Sequence, residues 1–408
     1  MKIIEDGTLA LVQGFETAAA KAAIKYQNRE DMALIYSVVP CKVAGTFTSN
    51  VVKAAPVLWD RNVVETSSYV QAIVVNTGIA NAGTGPEGLA DTEETAFFCA
   101  QQLGIPKEAV LVASTGVIGP KLPMDRMKEG IRSLVAGKRT DRESARAASR
   151  AIMTTDTHPK QLCVETQIGG KTVHIAGMCK GSGMIHPNMG TMLSFVATDA
   201  AISRELLQQA VSADVKDTYN MISVDGDTST NDTLLVLANG LAGNQEIVAT
   251  GEDYTLFSEA LHLLNQNLAM LLAGDGEGAT ALFEAHIIGA RTKEDARMLA
   301  KSVIRSSLTK AAIFGHDANW GRFLCALGYS GADFNPDHMA LYFEANGQRI
   351  LIYEDGSGCA YEEEEASKLL SAPKVTVLAD MKMGKASATA WGCDLSYDYV
   401  KINADYRS

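Results

Sequence analysis

The chain has 408 residues, 47% of them hydrophobic, with 48 acidic against 36 basic side chains and a formal net charge of −12. An acidic balance with no run rich in Lys and Arg argues against a nucleic-acid binder, and no apolar run approaches the ~20 residues of a membrane span. A single hydrophobic core stops growing at roughly 250–300 residues, so two domains, or a large one with a smaller companion, are expected.

The first ten residues, MKIIEDGTLA, carry acid at positions 5 and 6 and no apolar stretch. No signal peptide is expected there. Short β-rich runs then alternate with helical patterns. MALIYSVVP from Met32 and YVQAIVVNTG from Tyr69 read as strands. GLADTEETAFFCAQQLG from Gly88 reads as a helix, and AVLVASTGVIG from Ala109 as another strand. Strand, helix and strand in succession predict an α/β (α+β layered) fold, with sheets sandwiched by helices. CVETQIGGKTVHIAG, from Cys163 to Gly177, predicts a hairpin turning at Gly169–Gly170.

KGSGMIHPNMGTMLSFVATDA follows, from Lys180 to Ala200. Its first half is rich in Gly, Pro and Asn, a contorted loop; from Thr191 it turns apolar, as a buried strand does. A helix is expected near Arg204–Tyr219, a polar loop over SVDGDTSTNDT (Ser223 to Thr233), and a second helix over TLFSEALHLLNQNLAMLLA. The latter has apolar residues at 256, 260, 263, 264, 268 and 271. EDARMLAKSVIRSSLTKA predicts one more helix, and ALYFEANGQRILIYEDG a hairpin around Asn346–Gly347. YEEEEAS from Tyr361 reads as the solvated start of a helix. A boundary near residue 280 divides a 1–280 catalytic domain from a smaller C-terminal α/β domain, 281–408.

Thr191 is the first chemical candidate. Within a chain its hydroxyl has no attached base. Cutting the Gly190–Thr191 bond would free an α-amine whose reference pKa is roughly 7.7–8.0, able to take the hydroxyl proton for acyl transfer. Gly190, without a Cβ, leaves its carbonyl open to attack by that hydroxyl. The plain alternative is a loop entering a strand, with Thr191 capping it.

ASTGVIGPKLP (Ala113 to Pro123) is the second candidate. A Thr hydroxyl and a Gly N–H at a strand end can converge on a developing oxyanion, or the stretch is an ordinary strand-to-helix turn. AGDGEGATALF (Ala273 to Phe283) lacks the Gly-Lys-Ser/Thr ending of a phosphate loop, and acid stands where phosphate would approach. It reads better as a bend presenting Glu277 to a cationic group. SVDGDTSTNDT has Thr230 and Val236 where a calcium loop needs Gly and Glu, so no metal is expected there. His158, His174 and His186 have no metal-ligand spacing. The seven cysteines, at 41, 99, 163, 179, 325, 359 and 393, form no Cys-x-x-Cys pair. They suggest structural thiols in a reduced, cytoplasmic compartment.

Taken in order, TGVIG at 115, KGSGMIHPNMGTML at 180, DGDTSTNDT at 225, GDGEGATALF at 274, GHDANWGR at 315 and YVKINADYRS at the end resemble the ornithine acetyltransferase family, also called glutamate N-acetyltransferase. The resemblance spans essentially the whole chain, and its Pro-Asn-Met-small-Thr-Met-Leu motif is highly specific. It implies a protein that cuts itself before Thr191 into α (1–190) and β (191–408) chains, assembled as an α2β2 heterotetramer. Such a protein moves acetyl from N-acetylornithine to glutamate in arginine biosynthesis, some members also using acetyl-CoA, with no cofactor. Thr115 and Gly116 match the family's oxyanion hole; Thr154, Lys180, Thr191, Glu277, Asn403 and Ser408 match its substrate contacts. His186 stands where Ala is frequent, and Ser408 where Thr is frequent. The rival readings are an N-terminal-nucleophile amidohydrolase or aminopeptidase, and an uncleaved amino-acid-binding protein.

Overall fold

The computed structural model describes residues 1–186 and 192–405; Gly190, Thr191 and Ser408 lie outside the described residues. The chain forms two compact units. One comprises residues 1–181, 192–216 and 228–268, the other 182–186, 217–227 and 269–405.

The first unit is organised by the strand Met32–Phe47. Its first half pairs with Phe15–Ala20 on one side and Val70–Ile79 on the other, and its second half with Thr233–Ala238. A register shift between Tyr36 and Cys41 lets one strand serve both ladders. Val70–Ile79 then pairs in parallel with Val110–Val117. On the other flank Thr233–Ala238 runs parallel to Leu193–Thr198, which is antiparallel to Lys171–Lys180, followed by Lys160–Ile168 and Lys2–Ile4.

Every residue of Val70–Ile79 is buried, which explains why it reads as a continuous apolar run rather than an alternating one. Ile73 and Val75 face a core completed by Ala145, Ala148 and Ala151 of helix Arg142–Ala151 and by Val63 and Val64 of helix Ala55–Thr66. Ala72 and Val74 face the opposite core, with Ala96, Cys99 and Ala100 of helix Gly85–Leu103 and Met127 and Ile131 of helix Met124–Gly137. Helices thus cover both faces, as the strand–helix alternation predicts. Their ends are chemically marked. Asp141 accepts the Ser144 N–H, Ser203 accepts the Leu206 N–H, and Gly104 closes Gly85–Leu103 at φ 71°.

The predicted hairpin turns at Gly169 and Gly170, both at positive φ. Two helices depart from expectation. Arg204–Asp214 ends before the expected Tyr219, which instead begins a short 3-10 turn, fully buried. In Glu252–Gly274 the buried stripe runs through Phe257, Ala260, Leu261, Leu264 and Leu268, while Leu271 is exposed.

The second unit holds a sheet ordered Ser357–Gly358, Gln348–Glu354, Ala340–Ala345, Lys374–Asp380, Leu282–Ala290, Ala386–Cys393 and Ile222–Ser223. Ala340–Ala345 and Gln348–Glu354 form the expected hairpin, with Asn346 and Gly347 both at positive φ. Glu363–Leu370 is the helix introduced by the acidic run. The single helix expected over 294–311 is two, Lys293–Arg305 and Ser307–Phe314. Ser306 adopts an extended conformation between them and accepts the Thr309 N–H, so a capping serine ends one helix and starts the next.

Candidate active site

Thr115 and Gly116 lie at the end of the strand Val110–Val117. Gly116 sits at φ 128° opposite Gly78 of the neighbouring strand, and a Cβ there would fall 2.2 Å from the Gly78 carbonyl carbon. Two glycines facing each other let these strand ends approach more closely than any side chain permits. Asn231 fixes the same corner. Its buried amide donates to the carbonyls of Ala80, at 2.6 Å, and Ser114, at 2.8 Å. The polar run 223–233, which composition presents as a loop without chemistry, therefore supplies a clamp beside Thr115.

Lys180 ends the strand Lys171–Lys180 and is almost wholly buried. It pairs in register with Leu193, two residues beyond Thr191 in the chain. Its ammonium lies 3.3 Å from the Thr115 hydroxyl oxygen. Thr154 belongs to the same unit, its N–H donating to the Asp156 carboxylate at 3.0 Å. Asp156 also accepts the Lys160 ammonium and the Gly181 N–H, each at 2.7 Å. Burial by itself would push this carboxyl up, but the charges of Lys180 and Lys160 with those hydrogen bonds bring it down to about 2. The two ammonium groups and the donated hydrogen bonds thus favour the ionised form of Asp156. Residue-by-residue reading missed it, because nothing in TTDTHPK marks a partner 25 residues away.

Asp232 is fully buried, and its Oδ2 has no hydrogen-bond partner among the described residues. Burial pushes its carboxyl well up, against the opposing effects of the Lys180 charge and of hydrogen bonds that include the Met192 N–H. Like Asn231, it was hidden in the polar run.

In the second unit the bend after Gly274 carries Glu277, which is buried. Its N–H donates to the Ser182 carbonyl at 3.0 Å, and its Oε2 accepts the Asn403 amide at 2.7 Å. A Cβ on Gly183 would lie 2.4 Å from the Glu277 carboxylate, so a side chain there would displace that carboxylate from its place. Segment 182–186 is pinned by Asp225. That carboxylate accepts the Met184 N–H at 2.6 Å and the Ile185 N–H at 2.9 Å, while Val224 N–H donates to the Ile185 carbonyl at 2.6 Å. The acid of the polar run thus holds a backbone strap. Among the described residues no group of three or more His, Cys, Asp or Glu side chains is placed to hold a metal.

His186 ends that strap, its Nδ1 3.0 Å from the Ser223 hydroxyl. Burial, then the charges of Lys301 and Arg305, lower it from 6.5 to about 3. An unfolded chain takes up a proton below the ordinary value and the native one does not, so His186 makes stability fall as pH drops from 6.5 towards 3. His186→Ala should therefore show a smaller loss of denaturation midpoint between pH 7 and pH 5 than the parent. Equal losses in parent and variant would show that His186 does not carry the effect.

Thiol chemistry is disfavoured at four positions, since burial pushes Cys41, Cys99, Cys163 and Cys179 up to about 12. The structure thus gathers Thr115, Gly116, Thr154 and Lys180 in one unit and Glu277 with Asn403 in the other. No described helix is long and apolar enough to cross a membrane.

Comparison with known proteins bears on the chain as a whole. A family model described as the ArgJ family matches residues 16–408. The chain is 48% identical over 408 residues to arginine biosynthesis bifunctional protein ArgJ 1 of Clostridium acetobutylicum, covering 100% of this chain and 99% of the relative. It is 50% identical over 404 residues to the ArgJ protein of Symbiobacterium thermophilum, covering 98% and 99%. Among solved structures, ArgJ from Bacillus halodurans is 44% identical with a TM-score of 0.49, covering 52% of this chain and 97% of that one. Ornithine acetyltransferase complexed with ornithine, from Mycobacterium tuberculosis, is 35% identical with a TM-score of 0.43, covering 47% and 99%. With a family match over nearly its whole length and relatives near half identity end to end, the chain belongs to the ArgJ family and is an enzyme of arginine biosynthesis.

Proposed function

We propose that the chain transfers acetyl from N-acetylornithine to glutamate through an acetyl-threonine formed on Thr191, after cutting its own Gly190–Thr191 bond. The observation that carries this reading is the Lys180 ammonium 3.3 Å from the Thr115 hydroxyl, at a strand end paired with Leu193. One residue of chain, Met192, separates that pairing from the proposed nucleophile.

In maturation the Thr191 hydroxyl attacks the Gly190 carbonyl, the C–N bond breaks, and water hydrolyses the resulting ester. A Gly190 carboxylate and a free Thr191 amine remain. In turnover that amine takes the hydroxyl proton as the oxygen attacks the acetyl carbonyl. Thr115 and Gly116 hold the oxyanion. Collapse breaks the acetyl C–N bond, the proton passes to the departing nitrogen, and ornithine leaves. The glutamate amine then attacks the acetyl-threonine and restores the hydroxyl.

Both substrates carry an α-carboxylate beside the reacting nitrogen, for which Lys180 is the counter-charge, with Thr154 beside it in the sequence of contacts. They differ at the far end, ammonium in one and carboxylate in the other. Glu277 suits the ammonium; Asn403 and Ser408 offer neutral hydrogen bonds that tolerate either. Acetyl-CoA is a second donor in this reading, and the relatives' name, bifunctional protein, supports it. The enzyme works in the cytoplasm without a cofactor, as an α2β2 assembly of the two halves of one precursor.

Mature protein should run on a denaturing gel as two fragments of 190 and 218 residues, about 20 and 23 kDa, the larger beginning at Thr191. A fully active single band would contradict the mechanism. The activity itself is tested by supplying N-acetylornithine with glutamate, then acetyl-CoA with glutamate, and measuring N-acetylglutamate in each. Formation from N-acetylornithine is expected. Acetate and ornithine released at the same rate without glutamate would point instead to an amidohydrolase.

A further inference from the structure

We infer that Asp156 is a positioning residue for acetyl transfer, its single buried carboxylate setting Lys180 against Thr115 and holding the Thr154 backbone. The inference rests on the reading of Thr115, Thr154 and Lys180 as site residues. Asp156 itself touches no reacting atom in it.

Two donors from the same stretch of chain, Thr154 and Lys160, and one from a segment 25 residues away, Gly181, meet on this carboxylate. Oδ1 accepts the Gly181 N–H at 2.7 Å, fixing the chain immediately after Lys180. The same oxygen takes the Lys160 ammonium at 2.7 Å, and Oδ2 takes the Thr154 N–H at 3.0 Å. Neither the Asp156 nor the Lys160 side chain has any solvent exposure. Lys160 pairs with Cys179 across the ladder, so it reaches the carboxylate from the strand beside Lys180. A buried carboxylate bonded to three donors in fixed directions has little freedom to shift, and neither have the donors.

A purely structural role would be to neutralise Lys160. A buried ion pair often adds little net stability over an apolar pair of similar volume, so stability alone is a weak reason for this arrangement. Orientation is a better one. A displacement of about 1 Å in a catalytic group costs on the order of 10²-fold in rate, and Gly181 N–H ties Asp156 within one residue of Lys180.

The test compares Asp156→Asn with the double variant Asp156→Asn/Lys160→Met, which removes both members of the buried pair at similar volume. Two donors are used with each cleaved enzyme, N-acetylornithine and its α-carboxamide. The readout is the ratio of their kcat/KM values, which does not change if only the active fraction falls. The parent should favour the carboxylate, because Lys180 faces it. Asp156→Asn should narrow that preference at least tenfold, and the double variant should recover thermal stability without recovering the preference.

An unchanged ratio in Asp156→Asn, or a parental ratio restored in the double variant, would overturn the inference and leave Asp156 as the partner of Lys160 only. Should Asp156→Asn fail to fold, the double variant decides alone. Absence of any transfer by the parent enzyme would overturn the functional reading itself, and with it this role.

Discussion

Thr191→Ala should yield one intact chain of 43.5 kDa that folds, fails to cut itself and transfers no acetyl group. One hydroxyl serves both reactions, so its removal stops both. The loss in turnover should be on the order of 10⁴–10⁶-fold, the range seen when a covalent nucleophile or its base is deleted from a working site. Folding should survive, because the seam strand Leu193–Thr198 is held by its pairing with Lys171–Lys180 and with Thr233–Ala238, none of which involves the hydroxyl. Thr191→Ser keeps the oxygen and should retain partial cleavage. If Thr191→Ala still moved acetyl from N-acetylornithine to glutamate at a tenth of the normal rate, the acetyl group would pass directly between substrates and the covalent mechanism would fail.

Thr115→Ala should lose about 10²–10³ in kcat, the effect of removing one of two oxyanion donors, equivalent to ~2.7–4 kcal/mol of transition-state stabilisation. KM should change little, because the charge exists only in the transition state. The Thr115 hydroxyl lies 3.3 Å from the Lys180 ammonium, an arrangement that polarises the hydroxyl towards a negative oxygen. Maturation passes through its own tetrahedral species at Gly190, whose carbonyl need not occupy the same place. Cleavage should therefore survive the substitution better than turnover does. Kinetics on already cleaved Thr115→Ala protein decide the matter. A kcat within about threefold of the parent, with KM raised, would make Thr115 a binding residue.

Much of this architecture is legible from local patterns. Val70–Ile79 and Val110–Val117 announce themselves as apolar runs, and Gly169–Gly170 and Asn346–Gly347 as turns, because backbone conformation at those positions is set by neighbours in sequence. The division of the second unit's long helical pattern was missed for the opposite reason. Ser306 inside an otherwise continuous amphipathic run looks like a tolerated polar residue, and its extended, capping conformation is defined only in the folded chain.

Site residues divide in the same way. Thr115, Lys180 and Glu277 stand out by motif. Asp156, Asp225, Asn231 and Asp232 do not, since a buried polar side chain has the same letter as a solvated one. Asn231 reaches carbonyls 151 and 117 residues away, and Asp225 secures a strap 40 residues upstream. Such partners are defined only by the fold, so DGDTSTNDT reads as a solvated loop until the strands are assembled around it.

The claim on which the account turns is that acetyl resides on Thr191 between the two substrates. Mature enzyme would be incubated with N-acetylornithine in the absence of glutamate, quenched in acid, and the 191–408 fragment weighed and sequenced by mass spectrometry. The account predicts a gain of one acetyl group on that fragment, located at Thr191, with one equivalent of ornithine released. Adding glutamate before the quench should remove the acetyl group and produce one equivalent of N-acetylglutamate. A fragment of unchanged mass, in enzyme that turns over at full rate once glutamate is added, would contradict it.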